Sequence, residues 1–265
     1  MKIFLKTEDE IESMRQASQL VGKTLAELAK HIREGVTTKQ LDDIAEEFIC
    51  DNGGVPIFKG FPNPYGKPFP ASICTSVNSV VVHGIPDDKV LRNGDIISVD
   101  CGIRLNGFCG DSAYTFCVGE VSDEIKVLLK TTKESLYKGI EAAQAGRHLE
   151  DIGNAVQTYC ESKGYGVVRE LTGHGIGKNM HEDPQVPNYG KFGNGMMLKS
   201  GMCLAIEPMI TIGKASIGLM PDKWAIRTRD NRPAVHFEHT IAVRNGKADI
   251  LSTFEEIEQI EGKQY

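Results

Sequence analysis

Two successive helix–helix–extended modules constrain this chain more than any other feature of its sequence. The first helix is predicted to start at Thr7, which forms a capping box with Glu10. Ile11, Met14, Val21, Leu25, Leu28 and Ile32 recur at helical spacing, and Gly35 closes the helix. A second helix runs from about Thr38, with Leu41, Ala45, Phe48 and Ile49 inward, to Gly53-Gly54. A Pro/Gly/aromatic loop follows from Val55 to Pro70, and β-branched stretches around 71–83 and 95–118 read as extended. The pattern then returns, with a helix from Ser122 to about Ala145, a glycine at 146, and a helix through Ile152, Val156 and Tyr159. An offset of 111 residues lays Leu25 on Leu136, Gly35 on Gly146, Leu41 on Ile152, Ala45 on Val156, Phe48 on Tyr159 and Gly53 on Gly164. No linker separates the halves, about 7–118 and 119–255. The expectation is a single α/β domain over residues 1–265, with a cleft between pseudo-symmetric halves.

Charge and cysteine content narrow the function classes. Thirty basic residues stand against 36 acidic ones, a net charge of −6, so the chain carries no electrostatic footprint for nucleic acid or an anionic membrane. The apolar run Ile3-Phe4-Leu5 is shorter than the roughly 7–15 residues of a signal peptide. No later segment reaches the roughly 18 apolar residues of a membrane span. Seven cysteines without a Cys-x-x-Cys pair fit a reduced, cytoplasmic protein.

Asn106-Gly107 is a strong signal for a two-residue type I′ hairpin. That turn pairs Leu105 with Phe108, Arg104 with Cys109 and Gly102 with Asp111. Asp100 then shares a face with Asp111, diagonally across the ladder at about 7–8 Å between Cα atoms. Two carboxylates so placed are costly unless they share a proton or neutralise a cation. Two solvent-facing aspartates would serve an exposed strand equally well, but Ile96, Ile97, Val99 and the flanking glycines point to burial. Cys101 and Cys109 have opposite strand parity, so thiolate ligation is not indicated.

Three further clusters follow. Gly173-His174-Gly175-Ile176-Gly177 superficially matches a dinucleotide loop, yet Lys178 to Pro184 cannot start the long helix that loop needs. His181 comes seven residues after His174. Glu207 and Glu238 each lie inside an apolar, strand-like run, where a carboxylate requires a partner. A structural salt bridge explains either glutamate alone. Two aspartates, a histidine and two glutamates together are better explained by metal.

Val80-Val81-Val82-His83-Gly84-Ile85-Pro86, the Asp100/Asp111 hairpin, Gly173–Gly177, Ile206-Glu207-Pro208 and Phe237–Ile241 resemble the type I methionine aminopeptidases over residues 7–255. The resemblance implies the pita-bread fold, an α/β (α+β) architecture with two pseudo-symmetric helix–helix–strand halves around a central antiparallel sheet. It implies two divalent metal ions held by Asp100, Asp111, His174, Glu207 and Glu238, with Asp111 and Glu238 bridging. Four carboxylates balance two divalent cations. Oxygen-rich ligation with one imidazole suits Mn, Fe or Co, with Zn also allowed. The activity implied is hydrolysis of the N-terminal methionyl bond by a dimetal-bridged hydroxide, with a small second residue preferred. Glu207 would shuttle the proton, His181 would support the oxyanion, and His83 would hydrogen-bond the substrate near the scissile amide. Cys74, Phe69, Met180 and Trp224 would wall a methionine pocket together with His83 and His181, and Phe58 and Phe61 stand at less familiar positions beside it. Implied partners are nascent polypeptide N-termini, with the ribosome as a candidate contact, no nucleic acid and no membrane, for a monomer.

The nearest alternatives are a proline-specific enzyme of the same fold and a metal-free binding protein. The former usually carries an additional N-terminal domain, for which about 70 residues before Cys74 leave little room. The latter would have lost ligands.

Overall fold

The computed structural model describes residues 2–262. In chain order it contains α1 (Glu8–Ala29), α2 (Thr38–Asp51), β1 (Val55–Pro56), β2 (Cys74–Val77), β3 (Val80–Val82), β4 (Ile96–Leu105) and β5 (Phe108–Cys117). The second half begins with α3 (Asp123–Ala142) and α4 (Leu149–Ser162). It continues through β6 (Gly166–Val167), β7 (Thr172–Gly175), β8 (Glu182–Pro187), β9 (Cys203–Ile206) and β10 (Met209–Thr211). It ends with β11 (Ile217–Leu219), β12 (Ile226–Thr228), β13 (Ala234–His236), β14 (His239–Ala242), β15 (Asp249–Ile250) and α5 (Glu255–Glu261).

Local chemistry sets the helix starts. Thr7 Oγ1 accepts from the Glu10 N–H at 3.3 Å, and the Thr7 N–H donates to Glu10 Oε2 at 3.0 Å. Thr37 and Gln40 repeat that reciprocal cap on α2. At the offset position His148, the backbone N–H donates to Asp151 Oδ2 before α4. The helix ends differ from expectation: α1 stops at Ala29 rather than after Ile32, and α3 at Ala142 rather than near Ala145. After Ala29 the Lys30 N–H folds back onto Glu27 and Leu28 carbonyls in a tighter turn. Gly35 and Gly146, at φ +90° and +89°, then close the turns rather than the helices. Their N–H groups donate to the Leu91 and Leu198 carbonyls at 3.0 and 2.9 Å, the same contact in each half.

Every pairing between these strands is antiparallel. The Asn106-Gly107 hairpin has the expected register, with Leu105 opposite Phe108 and Gly102 opposite Asp111. The expected central sheet, however, is divided among four sheets. One division explains the site. Glu207 and Glu238 do not lie within continuous strands: β9 ends at Ile206 and β10 starts at Met209, while β13 ends at His236 and β14 starts at His239. The pairs His239–Ile206 and Met209–His236 bracket this break, so Glu207-Pro208 faces Phe237-Glu238 across it. Pro208 lacks the N–H that an unbroken ladder would use.

The helices pack on the outside of the strands, α1 on β4 and β5, and α3 on β9, β10 and β13. One apolar core joins Leu25, Leu41, Ile49, Ile97 and Phe116 of the first half to Leu136, Ile152, Val156, Leu204 and Ile241 of the second. Gly110 sets how closely α1 approaches β5, because a Cβ there would lie 2.4 Å from the Ser18 nitrogen and 2.6 Å from its Cα. Both atoms are helix backbone and cannot rotate aside. Gly110→Ala is therefore expected to cost about 1–3 kcal/mol or more. Calorimetry should show a midpoint at least about 3 °C lower. An unchanged midpoint would show that α1 is free to shift.

Candidate metal centre

The strand break and the hairpin deliver carboxylates to one place. β5 is stitched to the segment 236–240 by side-chain hydroxyls: Ser112 Oγ donates to the Glu238 carbonyl at 2.6 Å, and Thr115 Oγ1 to the His236 carbonyl at 2.7 Å. Thr240 Oγ1 donates to the Asp111 carbonyl at 2.8 Å and accepts from the Asp111 N–H at 3.2 Å. These bonds hold Asp111 beside Glu238 across a sequence gap of more than a hundred residues. β7, hydrogen-bonded between β8 and β9, brings in His174.

Asp111, His174 and Glu238 are buried and offer ligand atoms that all lie within 4.8 Å of one another. His174 Nε2 is 3.6 Å from Asp111 Oδ2 and 3.8 Å from Glu207 Oε1. The Asp100 carboxyl is within hydrogen-bonding reach of Asp111, as the hairpin register requires. The structure thus brings together all five residues expected to ligate metal.

The donor chemistry fits divalent cations. Asp100 Oδ1, Asp111 Oδ1 and Glu238 Oε1 are buried with no hydrogen-bond partner in the protein. Such oxygens normally have one. Burial, reinforced by neighbouring carboxylates, pushes Asp100, Glu207 and Glu238 well above the usual carboxyl range, and burial lifts Asp111 to about 7. A divalent cation among them reverses that cost. His174 is prepared for the same task. Its Nδ1 lies 2.9 Å from the Gly175 carbonyl, which only accepts, so Nδ1 carries the hydrogen and Nε2 keeps its lone pair. Burial lowers its pKa to about 4, which keeps the ring neutral.

A cavity of about 630 Å³ opens over these carboxylates. Cys74, Phe69, His83, Met180, His181 and Trp224 line it, together with Phe58 and Phe61. Its apolar end is assembled from aromatic edges: the Phe69 and Trp224 rings meet edge-on at 5.1 Å, and Trp224 Nε1 donates to the Lys67 carbonyl. His181 faces the cleft, with its ring 4.4 Å from His174 and edge-on to Phe61 at 5.2 Å. Loss of hydration and the neighbouring His174 lower its pKa to about 4. His83 has a left-handed φ of +58° immediately before Gly84, a conformation of the kind that collects at functional sites. Burial also lowers His83 to about 4.

Sequence reasoning missed His236. It is 1% exposed, and its Nε2 lies 3.7 Å from Glu207 Oε2 and 3.9 Å from Glu238 Oε2. Its position two residues before Glu238 is the signal that could have marked it.

Residues 12–245 match metallopeptidase family M24. A methionine aminopeptidase from Clostridium acetobutylicum is 52% identical over 254 residues, covering 96% of this chain and 100% of the relative. The chain belongs to the methionine aminopeptidases of family M24. Methionine aminopeptidase 1 of Bacillus subtilis is 49% identical over 94% of the chain and 99% of its own length. The crystal structure of the methionine aminopeptidase from Rickettsia prowazekii is similar with a TM-score of 0.91 and 41% identity, covering 95% of this chain and 100% of that one. The α/β pita-bread fold expected from the sequence is therefore present. The family makes the enzyme a metal-dependent peptidase. No helix among the described residues is long and apolar enough to cross a membrane.

Proposed function

We propose that this enzyme removes the N-terminal methionine from peptides and nascent chains, and that Asp100, Asp111, His174, Glu207 and Glu238 hold its two divalent ions. The observation carrying this reading is a set of four carboxylates and one prepared imidazole, with orphaned buried oxygens, beneath an apolar cavity. Oxygen donors with one nitrogen favour Mn, Fe or Co over a thiolate-seeking structural zinc site. When bound, such ions polarise the scissile carbonyl and acidify water.

The protein's own groups do the rest. Glu207, at the strand break and facing the cavity, takes the proton from the attacking water and passes it to the leaving amine. The neutral His181 donates an N–H to the carbonyl oxygen as negative charge develops there. His83 hydrogen-bonds the substrate near the scissile amide. Phe69, Cys74, Met180 and Trp224 form the apolar receptacle for the methionine side chain, with Phe58 and Phe61 beside them. A small residue after methionine would sit beside His83 and His181, which line the cavity.

The working unit is one catalytic domain of two halves, about 7–118 and 119–255, acting as a monomer. Its seven free cysteines suit the reducing cytoplasm, where nascent chains emerge and where the ribosome is a candidate contact. A peptide comparison tests the assignment: Met-Ala-Ser should be cleaved to free methionine and Ala-Pro left intact. Faster hydrolysis of Ala-Pro would replace the assignment with a proline-specific one.

A further inference from the structure

The segment before α1 is fastened at the edge of the cleft, to residues 182, 183 and 201. The Lys6 ammonium donates to Glu182 Oε2 at 2.7 Å, and the two side chains are only 6% and 5% exposed. Glu182 Oε1 accepts the Asn179 N–H at 3.1 Å, so both carboxylate oxygens are engaged next to His181. The Lys6 N–H donates to the Gly201 carbonyl at 2.8 Å, and the Lys2 N–H to Asp183 Oδ2 at 2.7 Å. Two glycines make room for this seat. A Cβ on Gly177 would lie 2.6 Å from Lys6 Cε, and one on Gly201 would lie 2.9 Å from the Lys6 carbonyl oxygen. A segment fixed by a buried ion pair, two backbone anchors and two glycine seats is a built part of the molecule.

Its outer residues face the cavity. Lys2 and Phe4 line the same cleft as the carboxylates and the apolar pocket. Phe4 is 43% exposed, and the Lys2 ammonium stands 4.7 Å above its ring. The mechanism uses neither residue. The apolar end holds the methionine side chain and the carboxylate end the scissile amide, so the remaining rim is where the rest of the peptide must leave.

We propose that Lys2–Lys6 form a strap that binds the substrate chain beyond the residue following methionine, making Phe4 and Lys2 specificity determinants for longer peptides. This rests on the aminopeptidase reading above. Phe4 would pack against an apolar side chain at the third or fourth substrate position, and the Lys2 ammonium would attract a free substrate carboxylate. The test compares kcat/KM for Met-Ala-Ser-Leu with that for methionine p-nitroanilide in wild type and in the double variant Lys2→Ala/Phe4→Ala. The expected result is a fall in the tetrapeptide-to-anilide ratio of about 5–10-fold, the worth of one partly exposed aromatic contact. A ratio within about twofold of wild type, whether or not both activities change together, overturns the strap. Wild-type turnover of the anilide tests the aminopeptidase reading separately. Both substituted side chains are exposed and Lys6 stays in place, so the variant retains the anchors that seat the segment.

Discussion

A Glu238→Ala protein should bind fewer than two Mn equivalents per chain and release methionine at least about a thousandfold more slowly, because a divalent Lewis acid is worth several kcal/mol and each 1.36 kcal/mol is tenfold in rate. Glu238 faces Glu207 at the strand break and shares one ligand cluster with Asp111 and His174. Its backbone is held independently of its side chain. The N–H donates to the Ala113 carbonyl and its own carbonyl accepts from Ser112 Oγ, and both bonds survive in alanine. Removing one of four mutually repelling buried carboxyls should leave the chelated protein at least as heat-stable as wild type. A purely structural role for Glu238 gives the opposite pattern, a lower midpoint with two metal ions retained. Elemental analysis alongside calorimetry separates the two.

His181→Ala should behave differently. The ring lies against His174 and Phe61 at the cleft surface, outside the ligand set, so metal content should match wild type. Loss of one donor to a developing oxyanion typically lowers kcat about 10²–10³-fold, with a smaller effect on KM. Because its pKa lies near 4, the imidazole is neutral at neutral pH and acts as a hydrogen-bond donor, not a cation. His181→Asn should restore part of the rate by offering an amide donor. Near-wild-type turnover in His181→Ala would remove the oxyanion role, and a loss of metal would make His181 part of the ligand scaffold.

The features visible in the sequence were those governed by local geometry. Asn106-Gly107 sets a register, and that register alone puts Asp100 and Asp111 on one face. Thr7 and Glu10 announce a helix start because capping is settled within four residues. The equivalent glycines 35 and 146 were visible at a fixed offset, although they close turns and not helices. The family resemblance supplied the five-ligand set, and the structure gathers all five in one cleft.

What the sequence hid was set by distant partners. The apolar runs around Glu207 and Glu238 look like continuous strands, since periodicity cannot show where a ladder stops. Their break appears only when β9–β14 and β10–β13 are paired. Ser112, Thr115 and Thr240 look like ordinary strand residues until their hydroxyls are seen joining segments more than a hundred positions apart. The Lys6–Glu182 pair likewise spans most of the chain, and nothing in Ile3-Phe4-Leu5 suggests a cleft wall.

If these five residues hold two divalent ions, methionine release depends on both. The enzyme can be stripped with a chelator and titrated with Mn or Fe while both bound metal and methionine released from Met-Ala-Ser are followed. The stripped enzyme should be inactive, binding should saturate at two ions per chain, and activity should return as the site fills. Methionine release that persists in the stripped enzyme, or fails to return once two ions are bound, would contradict that dependence.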